Sequence, residues 1–360
     1  MKKLDTSGIT RVLLTLALSL GLGTLIMLIL GYNPVDAFVN LFRGAFVGSF
    51  RFGNLIASFT PLLLTATAFA IAAQGGAFNV GVEGQVFLGA ITAAYIGINW
   101  TFLPAPLLII ACFLGAMVIG GSWALIPAVL KAYYNVSEVC VTILMNMVAL
   151  FITSYLVSGP MSAGTANAQT EHVAVRLPRF LAPSNANAGI FIAIAVVVVV
   201  CLLLYKTKYG FKIRMTGQNP TFADFSGVNS KSVFINGMIL SGMIAGIAGT
   251  IEVLGVYGFF LNNFAAGLGI NGMLAALIAK SSLILSPFLA FFLAILHVGS
   301  LGMQQATGIP RALIDVITAT FIIIASMETL FQLKKRLKKK KNNGDSEGSG
   351  PSLKDKEVSV

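Results

Sequence analysis

The sequence predicts an all-α polytopic membrane protein of about ten transmembrane helices (eight to ten), with glycine-rich breaks in some of them. Three observations point there. The chain has 360 residues, of which 56% are hydrophobic and only 10% charged, against roughly 25% charged in soluble domains. Uncharged apolar runs of spanning length recur, as in Val12–Leu30, Leu107–Leu130 and Ile190–Tyr205; about 20 such residues cross the hydrocarbon core of a bilayer. Between two of the runs lies a polar interruption, AQGGAFNVGVEGQVFLGA, Ala73–Ala90. There Gln74–Gln85 holds four glycines, Asn79, two glutamines and Glu83.

Residues 1–10 carry Lys2 and Lys3 and are expected to be a short cytoplasmic N-terminus. The apolar run that follows is too long for a signal-peptide core and has no small-residue cleavage site after it, so it reads as a retained first helix. Across residues 11–333 the pattern fits spans near 11–31, 55–73, 86–100, 106–130, 138–158, 189–205, 233–256, 269–284, 285–305 and 311–333. Glycines break the runs at 74–105 and 257–305, which leaves room for eight or nine spans with re-entrant segments. An even count places both lysine-rich termini on the cytoplasmic side, as the positive-inside rule asks. The 206–231 loop, with Lys206, Lys208, Lys212, Arg214 and Lys231, falls on that side too. Arg43, Arg51, Arg176, Arg179 and Arg311 fall on the other.

The net charge of +11 is concentrated at the end of the chain. KKRLKKKK, Lys334–Lys341, follows the last apolar run, a placement that suits anionic lipid headgroups and accounts for the charge without nucleic acid. The rest of the 334–360 tail has the composition of a disordered segment. Cys112, Cys140 and Cys201 sit within or beside apolar runs without metal or disulfide spacing. His172 and His297 are too isolated to hold a metal.

Two passages carry chemistry. In the cytoplasmic loop a basic stretch breaks at Gly217 and at Asn219-Pro220. A short helical pattern follows, with Phe222, Ala223 and Phe225 on one side and Gly227 as its stop. A short amphipathic helix at that place is a docking element for a soluble partner. The motif RxxGxNPxxAxxxG over Arg214–Gly227 (Arg214, Gly217, Asn219, Pro220, Ala223, Gly227) resembles the coupling loop of ABC-importer permeases of the branched-chain amino acid, ribose and nucleoside group. AFNVGVEGQ, Ala77–Gln85, resembles the glycine-rich segment of that group's nucleoside and simple-sugar members, and the likeness covers about residues 10–333.

The resemblance implies a permease that binds no cofactor, a separate cytoplasmic ATPase that uses ATP, and an extracytoplasmic substrate-binding lipoprotein. It also implies a second permease chain, identical or paralogous, and a bacterial plasma membrane. No GxxxxGK[ST] phosphate loop occurs in the sequence, in keeping with ATP hydrolysis elsewhere. The expected function is nucleoside import. Ribose or another simple sugar is the alternative, and an ion-coupled secondary transporter using Glu83 and Glu252 is the alternative from another class. A membrane scaffold is a further rival, disfavoured by the glycine-broken spans.

The second passage is the Glu83 segment. Non-helical backbone at membrane depth is tolerated only inside protein or along a water-filled cavity, and transporters build their sites at such breaks. Glu83 therefore reads as lining the path, as a clamp on the free amides of a helix start, or as part of an exposed turn. GVEG, Gly81–Gly84, is echoed by GING, Gly269–Gly272. The echo suggests an inverted repeat of about 55–158 on 233–333, which would make Glu83 and Asn271 counterparts. Asn79, Glu83, Gln85, Asn146, Glu252 and Asn271 are the path candidates. Asp315 and Glu328 of the last run read as packing or end-of-helix residues. Small residues at Gly242, Gly246 and Gly249 predict a close helix–helix contact. A neutral nucleoside needs no counter-charge; aromatic walls and amides, Asn262 among them, would suit it.

Overall fold

A computed structural model describes residues 20–310, 312–317 and 319–320. The chain divides into two compact units. In one, Met1–Ile26 with Asp315–Val360, the described residues are helical and Asp315 is exposed. The lysine-rich N-terminus, Arg311, Glu328, the Lys334–Lys341 cluster and the tail lie outside the described residues.

The other unit, Met27–Ile314, is built of helices joined by irregular segments. They are α1 (Pro34–Phe46), α2 (Ser49–Gln74), α3 (Val82–Asn99), α4 (Ala105–Tyr134), α5 (Glu138–Ser158), α6 (Gly189–Lys206), α7 (Lys208–Gln218), α8 (Pro220–Phe225), α9 (Ser230–Ile251), α10 (Leu268–Ile278) and α11 (Ser286–Thr307). A π-helical turn, Glu252–Tyr257, extends α9. Six helices among the described residues are long and apolar enough to cross a membrane: α2, α4, α5, α6, α9 with its π turn, and α11. Polytopic architecture is therefore observed, but the count of about ten is not reached among them.

Three differences from expectation have physical causes. The span expected over 269–284 is α10, which stops at Ile278; Lys280 and Ser281 then take left-handed backbone. Eleven residues rise only about 16 Å, half of the hydrocarbon core. The 86–100 run begins earlier, as α3 at Val82, and its polar ends at Glu83, Gln85 and Asn99 interrupt the apolar stretch. Helix α1 was missed altogether: Asn33 caps it through Val35 N at 3.0 Å, and its buried face is Pro34, Ala37, Leu41, Gly44 and Ala45. That face is too small-sided to stand out as an apolar run.

The core is organised on α9. Its predicted small-residue stripe meets backbone: a Cβ on Gly242 would lie 2.2 Å from Gly120 O of α4, and one on Gly246 2.2 Å from Ala116 O. Any side chain there would force the helices apart. Gly249 faces Val86 O and Ala90 of α3 in the same way. The Gly237–Gly249 segment is thus the close helix contact that its spacing predicts.

The 159–188 connection runs back along the π turn. Leu177 N donates to Leu254 O (2.9 Å), Val173 N to Gly258 O (2.9 Å) and Thr170 N to Phe260 O (3.0 Å). Val173, Val175 and Leu177 point inward, while Ala174, Arg176 and Pro178 between them are exposed, the alternation of an extended strand. Arg176 Nη2 donates to Tyr257 O (3.0 Å) and Arg179 Nη2 to Val256 O (2.8 Å). These two guanidinium groups satisfy carbonyls left open at a helix C-terminus and oppose its negative end.

Candidate functional site

Three clusters bring the singled-out residues together: the 206–231 connection, the break before α3, and the break before α10.

In the first, Thr207 Oγ1 accepts from Gly210 N at 3.0 Å and opens α7. The helix continues through Gly217 to Gln218, so Gly217 is not the break that was expected. The break is Asn219, extended because Pro220 follows it. Asn219 Oδ1 accepts from Phe222 N at 3.0 Å and Pro220 occupies the first helical position, a regular start for α8. Gly227 closes α8 with φ +79, as its glycine predicts.

Ala223 is fully buried while Phe222 and Phe225 are 58% and 89% exposed. The three do not share one side: the alanine anchors the helix and the two rings face outward. Asp224 accepts from Ser230 N (2.9 Å) and Ser230 Oγ (2.8 Å). Those bonds, with Lys231 nearby, hold its carboxyl below the ordinary range. Arg214 lies over the Tyr205 ring, 5.3 Å from its centroid.

Gly217 explains why this connection is tied to the membrane region. A Cβ there would sit 2.1 Å from Gln74 O and 2.9 Å from Gly76 N. Helix α7 therefore rests with its backbone on the backbone of the first break, where Gly76 turns with φ +84. Gln74 Nε2 also donates to Ser281 O at 2.9 Å, joining the turn after α10 to the same point. Gln74 was not singled out from sequence; it ends a long apolar run, and a polar residue at that boundary was its one signal.

The break before α3 is a closed amide network. Asn79 Nδ2 donates to Gln85 Oε1 (3.0 Å) and Ser241 Oγ (2.8 Å), and Asn79 Oδ1 accepts from Gly81 N (3.0 Å). Asn79 and Gln85 are 0% and 1% exposed. Asn146 of α5 accepts from Gly84 N at 2.8 Å and donates to Val80 O at 3.0 Å, holding the start of α3 from outside. Ser241, inside the small-residue stripe of α9, gave no separate signal in the sequence.

Glu83 leaves this network and reaches the other break. Its Oε1 accepts from Gly267 N at 3.1 Å, and the amides of Gly269 and Ile270 lie in the electrostatic reach of the carboxylate. A Cβ on Gly269 would lie 2.6 Å from Glu83 Cβ. GVEG and GING are thus in direct contact, and the carboxylate makes the helix-start contact considered above, though on a distant helix. Its Oε2 has no hydrogen-bond partner. Asn271, in the first turn of α10, is partly exposed.

The break before α10 is aromatic. Phe264 meets Tyr257 at 5.6 Å, Phe260 at 5.4 Å and Phe87 at 5.7 Å between ring centroids. Asn262 Nδ2 donates to Ser154 Oγ at 3.2 Å while its Oδ1 is buried without a partner. Glu252, in the π turn, is 8% exposed and bonded to no other described residue; no geometry joins it to Glu83. No group of three His, Cys, Asp or Glu among the described residues could hold a metal.

Comparison with known proteins follows the same lines. A family model described as branched-chain amino acid transport system / permease component matches residues 51–326. The guanosine ABC transporter permease protein of Bacillus subtilis is 31% identical, covering 92% of this chain and 97% of its own. The glucose ABC transporter permease protein of Haloferax volcanii is 30% identical over 89% of this chain and 87% of its own. A nucleoside ABC transporter permease protein of Lactococcus lactis is 29% identical, with 87% and 89% covered.

Proposed function

Because the chain belongs to the branched-chain amino acid transport system permease family, a non-catalytic membrane component of ABC importers that works with ATPase and binding-protein partners, we propose that its cargo is a nucleoside. The support is twofold. Two of the three relatives above are named for guanosine or nucleoside transport. Neutral aromatic and amide chemistry also meets at the break before α10, where Tyr257, Phe264 and Asn262 are only partly buried. A simple sugar is the second reading, favoured by the glucose permease relative.

In this reading Arg214, Gly217, Asn219, Pro220, Ala223 and Gly227 shape the cytoplasmic coupling element, and the ATPase grips α8. The observation behind it is the exposure of Phe222 and Phe225 on a helix whose opposite side is anchored by Ala223. Glu83, Glu252 and Asn271 remain path candidates, whereas Asn79, Gln85 and Asn146 act by holding the wall. A second permease chain and a binding lipoprotein complete the importer in a bacterial plasma membrane, with about ten spans and both termini cytoplasmic. The inverted repeat is favoured by a shared order: long helix, break and shorter helix in α2–α3 and again in α9–α10.

The test is uptake of labelled guanosine, uridine, ribose and glucose by host cells deleted for this gene and complemented with it. Restored nucleoside uptake supports the proposal; restored sugar uptake alone replaces the cargo and leaves the importer assignment standing.

A further inference from the structure

Five buried side-chain atoms among the described residues lack a hydrogen-bond partner. Two of them, Glu83 Oε2 and Asn262 Oδ1, flank the same ring cluster. Glu83 lies one helical turn before Phe87 on α3, so the two side chains share a face. Asn262 lies two residues before Phe264, and Phe264 packs on both Phe87 and Tyr257. Buried polar atoms are nearly always satisfied, so an orphan acceptor beside a ring cluster marks where a donor is missing. Both side chains are held at their other atom, Glu83 Oε1 by Gly267 N and Asn262 Nδ2 by Ser154 Oγ. Their free atoms are thereby oriented before anything arrives, the arrangement that lowers the cost of binding.

Resting on the nucleoside reading, we infer that Glu83 Oε2 and Asn262 Oδ1, with the rings of Phe87, Tyr257 and Phe264, form a base-contacting site for a planar nucleobase that carries N–H donors. The acceptors take the donor edge of the base, and the aromatic cluster offers it a face to stack on, a contact that every base can make. Glu83 then has two jobs on two oxygens: one holds α10 in place and the other reads the substrate. The site lies at a helix break, where backbone departs from the helix only beside protein or a watered path.

The two jobs separate in one substitution. Glu83→Gln keeps an oxygen to accept from Gly267 and turns the other position into an N–H donor. The measurement is the ratio of initial uptake rates of guanosine and purine riboside, whose base has no N–H donor, in deleted host cells carrying wild type or variant. Delivery and ATP hydrolysis are common to both variants, so a change in the ratio reports the permease. The guanosine-to-purine-riboside ratio should fall roughly ten-fold in Glu83→Gln, as loss of a hydrogen bond to a charged group implies. The amount of protein in the membrane should stay near wild type.

An unchanged ratio, or equal slowing of both nucleosides, overturns the inference while the nucleoside reading stands; Oε2 then faces a water only. Wild type that moves sugar and neither nucleoside overturns both. Should Glu83→Gln fail to accumulate, Asn262→Leu decides: the ratio falls roughly three-fold if Oδ1 takes a base donor and stays fixed if it does not.

Discussion

The two helix breaks answer the same problem in opposite ways. Before α3 the freed backbone is met by amides: Asn79, Gln85, Ser241 and Asn146 satisfy one another and the chain, in a place that is almost wholly buried. Before α10 the break is lined with aromatic rings, held by two arginines and one carboxylate from elsewhere, and retains an orphan amide oxygen. The first spends its polar groups on itself; the second leaves some over. Similar local sequences, GVEG and GING, therefore do not imply similar jobs. One break is built to stay shut and the other to meet a ligand.

The contrast can be broken most severely at the foot of the first region. Gly217→Ala sets a methyl against Gln74 O and Gly76 N, and overpacking of this kind costs about 1–3 kcal/mol or more. Membrane levels and uptake should both collapse, as measured by immunoblot and labelled-substrate uptake. An aspartate at this position would do the same, so such a variant cannot separate coupling from folding. Next comes Asn79→Ala, which strips Gln85, Ser241 and Gly81 N of a shared partner at a cost on the order of 3 kcal/mol. The thermal midpoint of the purified protein should fall by several degrees. A midpoint that held would mean that the network is ornamental and the contrast false.

Phe225→Ser tests the coupling helix without touching either break. The ring is 89% exposed, so the midpoint should not move, while uptake falls about ten-fold or more if the ring anchors an ATPase contact. Arg176→Ala should act only on the second region, speeding hydrogen exchange at residues 254–258 by roughly five-fold, since it removes a charge-assisted bond. The smallest effect is acidic. Asp224 has a depressed pKa, so its support of the turn after α8 is complete above the ordinary carboxylate value. That support fades only as pH falls through the lowered one. Uptake between pH 6 and 8 should be blind to Asp224→Asn, with any difference confined to acid.

Much of this was legible before any coordinates. Membrane class, the helices over 105–134, 138–158 and 189–206, and the turn at Asn219-Pro220 follow from apolar length and turn chemistry, which act locally. The small-residue stripe of α9 was legible for the same reason, because a period of three or four residues is a statement about one helix face. What could not be read depends on distant partners. Nothing in α3 says that Glu83 ends on the amides of Gly267–Ile270, some 184 residues away. Nor does Ser241 announce that Asn79 binds it. Gly217 was taken for a breaker because glycine usually punctuates, whereas here it serves close approach inside a helix. Arg176 and Arg179 were counted as loop charges, and their pairing with π-turn carbonyls needed the fold.

Backbone touching backbone at Gly217 has a mechanical meaning. A contact through a long side chain has rotatable bonds, and a small push is lost in them as a change of rotamer. Between residue 217 and residues 74–76 there is no such slack, and packed interiors are poorly compressible. A displacement delivered to α7 and α8 arrives at the foot of α2 almost undiminished. Through the Gln74–Ser281 bond it reaches the far end of α10 in the same stroke. The joint behaves as a hinge pin with very little play, which makes the timing of the two breaks a matter of geometry rather than of diffusion.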